Sequence, residues 1–214
     1  MNYFPKIDKD TALYASFAKK AGSKGCLFFN PLFAEHHINA IYKSFSVNNI
    51  EEAIKAAKTL NIKGFAITMP FKQEVLKYVD ETSEEVKKIG AANTVLNKNN
   101  YLKAYNTDYV AAKTMLFNFF AKETQKKLYI MGNGGYSKAV QYAATLNGIS
   151  YEVITRSKWD NIIKIKNSVI YNCTPVENVA TDPSSEFIDC ITTSPTGRRL
   201  AEIQSQEQFK LYTA

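Results

Sequence analysis

Lys72 and Asp108 are the side chains in this sequence best placed to move a proton. Lys72 ends the stretch Thr68-Met69-Pro70-Phe71-Lys72, and Asp108 ends Tyr105-Asn106-Thr107-Asp108; Gly90-Ala91-Ala92-Asn93-Thr94 lies between them. Both polar stretches sit beside expected strand ends, where open α/β sheets place their ligands. A lysine held against a carboxylate in a partly closed cleft can share a proton with a substrate hydroxyl. The plainer alternative makes Lys72 a first-turn helix lysine and Asp108 a helix cap, and spacing alone does not choose between them.

A second constellation is the turn Gly132-Asn133-Gly134-Gly135, which follows the apolar run Leu128-Tyr129-Ile130-Met131 and opens a helical pattern. Strand, Gly132-x-Gly134-x-x-Ser137, helix is the context a dinucleotide site needs. The first glycine permits the turn and the second lets backbone approach a pyrophosphate. Small Ser137 and Ala139 let helix and sheet pack closely, while the amides of the helix start face the phosphates. Where an NAD site carries an acidic residue, this chain has Thr155-Arg156-Ser157-Lys158. A guanidinium there suits a 2′-phosphate, so NADP is expected rather than NAD. The same pattern also occurs as a strand–turn–helix without a ligand, and Arg156 as a plain surface arginine.

These groups need elements to hold them. Apolar periodicity alternates between strand and helix, with no internal repeat. Strands are expected at 40–45, 64–68, 94–97, 101–105, 128–131, 151–155, 169–171 and 187–191. Ile50, Ala53, Ile54, Ala57 and Leu60 fall at helical spacing behind Glu51 and Glu52. Pro70 suits the first turn of another helix. Asn106-Thr107-Asp108 reads as a cap for a helix carrying Val110, Ala111, Met115 and Phe119. A helix inward at Ala139, Val140, Ala143 and Leu146 stops at Asn147-Gly148, and a last one spans 197–212. The expected fold is α/β in two lobes. An N-terminal α/β substrate domain takes 1–107 plus 197–214, and a reduced Rossmann-like nucleotide-binding domain takes 108–196.

The chain has 214 residues, 45% of them hydrophobic and 22% charged, enough for a core without disulfides or metal. The net charge of +7 comes from scattered pairs such as Lys19-Lys20 and Arg198-Arg199. It reads as a solvated surface that also attracts small anions, and no nucleic-acid partner is expected. No apolar run is long enough for a bilayer, so no membrane partner is expected. The start, Met1-Asn2-Tyr3-Phe4-Pro5-Lys6, lacks signal-peptide features. Three cysteines without CxxC spacing fit a reduced, cytoplasmic setting. His36-His37 has no third ligand at metal-binding spacing. Cys173 has no histidine partner for nucleophilic chemistry, and Trp159 is expected to anchor the segment after Arg156.

Met69-Pro70-Phe71-Lys72, Gly90-Ala91-Ala92-Asn93-Thr94-Val95 and Tyr105-Asn106-Thr107-Asp108-Tyr109 resemble, in order, the signature stretches of shikimate dehydrogenases. The 132–139 turn is similar to that family's GxGGxxxA turn, Asn172-Cys173-Thr174-Pro175 to its Asn-x-Thr-Pro loop, and Gln204-x-x-x-x-Phe209 to its returning helix. The likeness is closest to the shikimate dehydrogenase-like subgroup. It implies reversible NADP-dependent oxidation of shikimate, a hydroxylated cyclohexene carboxylate, within chorismate and aromatic amino acid biosynthesis. It implies Lys72 as acid and base, with Asp108 holding it and binding an adjacent hydroxyl. It further implies that Asn93, Thr68 and Gln204 contact substrate, that Ser16 binds its carboxylate, and that Thr174 lines the cofactor site.

The pattern also breaks. Ala18 replaces the second serine of Ser-x-Ser, and Glu177-Asn178 replaces the family's Gly-Met. The stretches 156–169 and 189–197 are short, and the family's last helices do not follow Ala214. A trimmed cofactor lobe leaves edge and apolar surface to be covered, for which a homodimer is one arrangement. Phe117, Phe119 and Phe120 are either part of such a surface or ordinary core. The losses motivate a second expectation, a degenerate homologue that binds a small anion or nucleotide without turnover.

Overall fold

The computed structural model describes residues 7–121 and 125–214; the leader reading of residues 1–6 lies outside them. The chain forms two compact units, Met1–Asn106 with Gln208–Ala214, and Thr107–Glu207.

The first unit contains, in order, β1 (Ala12–Ala18), α1 (Lys24–Glu35), β2 (Ala40–Ser46), α2 (Ile50–Thr59) and β3 (Gly64–Ile67). After these come β4 (Glu81–Thr82), α3 (Glu84–Ile89), β5 (Thr94–Lys98) and β6 (Tyr101–Tyr105). Among the described residues they build a sheet of order β2-β1-β3-β5-β6-β4. β1 runs parallel to β2 and β3, and β5 antiparallel to β3 and β6. Strand alternation sends Ala15, Phe17, Phe65 and Ile67 to one core with Ile50, Ile54 and Ala57 of α2. The opposite face carries Tyr42 with Phe29 and Phe33 of α1 and Tyr212. Each buried phenylalanine there contributes about 1.5–3 kcal/mol. The Asn49 side chain caps α2, accepting from the Glu51 and Glu52 amides at 2.8 and 3.3 Å.

The second unit contains α4 (Asp108–Phe120), β7 (Lys127–Met131), α5 (Gly135–Leu146), β8 (Tyr151–Ile154), β9 (Ser168–Asn172) and β10 (Glu186–Asp189). The closing helix α6 (Pro195–Thr213) joins the first unit from Gln208 onward. The sheet, of order β10-β9-β7-β8, is parallel throughout. The chain passes from β7 to β8 on one side and β9 lies on the other. The order therefore reverses at β7, and that switch point is where such sheets take ligands. Only a 3-10 helix (Arg156–Lys164) separates β8 from β9, so β8 is an edge strand, as the short 156–169 stretch implies. Trp159 packs beside Met131, Ile154, Ile162 and Ile170 and anchors this segment.

The expected strands are all present, some with shifted ends. The helix expected from Pro70 is not. Residues 70–73 form turns that lead into a 3-10 helix, Glu74–Tyr78. The reason is competition for backbone groups: the Lys72 carbonyl accepts the Ala92 amide at 2.7 Å, and Phe71 donates to Thr68 at 2.9 Å. Burial of Phe71 and Val75 in the core fixes this path. Phe117 is exposed, whereas Phe119 and Phe120 pack against the second unit's core. Among the described residues, no helix is long and apolar enough to cross a membrane.

Candidate active site

In the first unit the polar stretches meet through their backbones. Thr68 donates its amide to Phe17 at 3.0 Å, Ile67 donates to the Asn93 carbonyl at 2.8 Å, and Ala92 donates to Lys72. Thr68, half-buried Lys72 and buried Asn93 are thereby gathered at the carboxyl end of β3. The Asn93 side-chain oxygen accepts the Thr94 hydroxyl at 2.9 Å. Gln208, which sequence reasoning passed over, donates Nε2 to the Asn93 carbonyl at 3.2 Å and to Thr94 Oγ1 at 2.7 Å. Its place one residue before Phe209 gave no chemical signal. Gln204, the position singled out, lies half-buried on α6 among the residues of the second unit.

Ser16 is buried inside β1, on the sheet face that also carries the Tyr42 side chain. Burial pushes the Tyr42 hydroxyl well above its ordinary range, and the nearby Ser16 hydroxyl opposes the shift. A single register row crosses β2, β1, β3 and β5 as Ser44, Ser16, Ala66 and Thr94.

In the second unit Asp108 is the buried first residue of α4, and Thr107 occupies the cap position. Its charge adds to the burial that holds the Tyr171 hydroxyl and the Cys173 thiol well above their usual ranges. For Cys173, burial is the largest cause, with Cys190 next. A thiol so disfavoured as thiolate is a poor nucleophile.

The glycine turn has the form a pyrophosphate needs. Gly132 sits at φ +102°, and a Cβ there would stand 2.8 Å from Thr174 Cγ2. Its amide donates to Ile154 at 2.9 Å, and its carbonyl accepts the Ser137 hydroxyl at 2.7 Å. Gly134 precedes α5, is exposed, and would have nothing within 4 Å of an added Cβ. Gly135 begins the helix and Asn133 is exposed. Open space above an uncapped helix start, with the backbone bare of side chain, fits a phosphate-bearing cofactor. Thr155, Arg156 and Ser157 are exposed at the end of β8, where Thr155 and Ser157 share a hydroxyl contact of 3.3 Å. The Arg156 guanidinium stacks over Trp159 at 5.4 Å. Buried Thr174 follows β9, so all three cofactor stretches lie at carboxyl ends of neighbouring parallel strands.

The asparagine that opens the Asn-x-Thr-Pro stretch shapes the neighbouring loop. Fully buried Asn172 accepts the Thr174 amide at 2.9 Å and hydroxyl at 2.7 Å, and donates to the Val176 carbonyl at 3.0 Å and Asp189 Oδ1 at 3.1 Å. Its side-chain amide thus ties β10 to the loop after β9. Among the described residues, no three His, Cys, Asp or Glu side chains are grouped to hold a metal.

Fold and site together define an α/β protein with a mixed-sheet unit and a four-stranded Rossmann-type unit. Residues 20–95 match the family model described as the shikimate dehydrogenase substrate binding domain. A shikimate dehydrogenase-like protein of Haemophilus influenzae is 37% identical over 142 residues, 66% of this chain and 52% of that protein. The shikimate dehydrogenase (NADP(+)) of Caldanaerobacter subterraneus subsp. tengcongensis is 37% identical over 152 residues, 70% of this chain and 54% of that one. A solved shikimate 5-dehydrogenase-like protein superposes with a TM-score of 0.79 at 27% identity, covering 97% of this chain and 93% of the other. Residues 20–95 thus resemble a shikimate dehydrogenase substrate binding domain, and about two thirds of the chain is similar to shikimate dehydrogenases and shikimate dehydrogenase-like proteins. It spans about half the length of the curated relatives it matches.

Proposed function

We propose that the chain is an NADP-dependent oxidoreductase of the shikimate type, interconverting shikimate and its 3-keto form. The observation that carries the reading is the glycine turn. Gly132 is closed onto Thr174, Gly134 is left open, and Arg156 stands at the neighbouring strand end. When bound, the nicotinamide cofactor accepts or returns the hydride. Lys72 takes the proton of the reacting hydroxyl in oxidation and gives it back in reduction. Asp108 binds the hydroxyl next to the reacting one. Thr68, Asn93 and Gln204 hold the ring by hydrogen bonds, and Ser16 receives its carboxylate. Asn133, Gly134 and Gly135 meet the pyrophosphate; Thr155, Arg156 and Ser157 meet the 2′-phosphate.

A second reading, a binding protein without turnover, is favoured by the four-stranded second sheet and by Ala18. Calorimetric titration of the full chain separates the two. Saturable binding of both NADP and shikimate supports the enzyme. Shikimate binding with no NADP binding supports the second reading.

A further inference from the structure

We propose that Ser44 supplies a second hydroxyl donor to the substrate carboxylate, replacing the one lost at Ala18. This rests on the reading above, in which the substrate is a hydroxylated ring carboxylate met by Ser16.

Ser44 is the register partner of Ser16 across the parallel β1–β2 pair. Paired residues of a parallel ladder point to the same face, and neighbouring strands lie about 4.8 Å apart. Two hydroxyls at that spacing can be bridged by one carboxylate through short charge-assisted bonds. The row continues through Ala66, whose methyl leaves room, to Thr94, which Gln208 holds.

The environment of Ser44 suits the role. It is buried, 9% exposed, and its hydroxyl faces the Cys26 thiol at 3.4 Å. A thiol is a weak hydrogen-bond partner, readily exchanged for a carboxylate oxygen. Ser46, the partner of Ala18, is unsuited, since it is exposed and accepts the Ala21 amide at 3.0 Å. Ser44 therefore selects for the acid over neutral analogues of the same ring.

The test titrates shikimate and its methyl ester onto the full chain, wild type, Ser44→Ala and Ser44→Thr. Loss of one hydrogen bond to a charged group predicts about 10-fold or greater weakening for shikimate in Ser44→Ala. Ester affinity stays as in wild type, and Ser44→Thr retains shikimate affinity. Equal affinity of Ser44→Ala and wild type for shikimate overturns the proposal, as does equal weakening for acid and ester. Wild type that binds no shikimate overturns the functional reading itself, and this inference with it. A measurement without variants guards against misfolding. Shikimate should slow alkylation of partly exposed Cys26 by iodoacetamide, followed by peptide mapping. Shikimate bound with no protection of Cys26 sinks the assignment.

Discussion

Replacing Gly132 and Gly134 separately by alanine tests whether the turn is shaped by backbone strain at one glycine and ligand access at the other. At Gly132 the added Cβ meets Thr174 Cγ2 at 2.8 Å, while carbon pairs rest at about 3.5–4.0 Å. Such overpacking costs about 1–3 kcal/mol. The φ of +102° adds about 1–3 kcal/mol for a residue with a side chain. Together Gly132→Ala should lose about 2–6 kcal/mol. A unit of this size then melts at least about 4 °C lower. Gly134→Ala meets nothing and has φ −85°, so its stability should match wild type. On the proposed function its methyl stands in the path of the pyrophosphate, and NADP binding is lost. Adding Thr174→Ser to Gly132→Ala removes the clashing methyl but keeps the hydroxyl that Asn172 accepts, and should recover about 1–3 kcal/mol. Differential scanning calorimetry and NADP titration of the four proteins read this out. Equal melting of Gly132→Ala and wild type, or no recovery in the double variant, refutes the reasoning.

Three further outcomes follow from the same geometry. Asn172→Ala leaves the Thr174 amide and hydroxyl without their shared acceptor and costs about 2–4 kcal/mol, measured by urea denaturation. Gln208→Ala removes the donor to the Asn93 carbonyl and Thr94 hydroxyl and destabilises by about 1–3 kcal/mol, checked in the same assay. Alkali should weaken the fold. Burial raises the folded-state pKa of Tyr42, Tyr136, Tyr171 and Tyr212, so the neutral form is preferred when folded. That contribution is fully present below the unfolded tyrosine value of about 10 and is lost as pH rises through the raised values. Stability followed by denaturation should therefore fall above about pH 10; a flat profile there contradicts the burial of these hydroxyls.

The parts of the site that announce themselves in sequence are those where chemistry needs a particular residue type at a short spacing. Gly132 and Gly134 are of this kind, because conformation and ligand approach both exclude side chains. Strands such as 128–131 and 169–171 read clearly because burial on both faces makes them apolar throughout. β1 and α1 went unread. Pro31 and Gly25 interrupt the α1 pattern, and the helix forms because Phe29 and Phe33 are buried against Tyr42 and Tyr212. The turn at 70–73 was misread as helix because its deciding bond comes from Ala92, distant in sequence. Asn172 is legible as the head of an Asn-x-Thr-Pro stretch, but its four hydrogen bonds to Thr174, Val176 and Asp189 depend on β10 and the loop beyond β9 coming together. Ser44 gained meaning only from register, which pairs it with Ser16 across strands separated by a helix.

The most direct measurement is NADPH formation by the purified full chain given shikimate and NADP, compared with Lys72→Ala. Wild type should turn over, and the variant should still bind shikimate while its rate falls by about 100-fold or more. Turnover undiminished in Lys72→Ala would contradict the role given to that lysine, and wild type that binds both ligands yet forms no NADPH would contradict the enzyme.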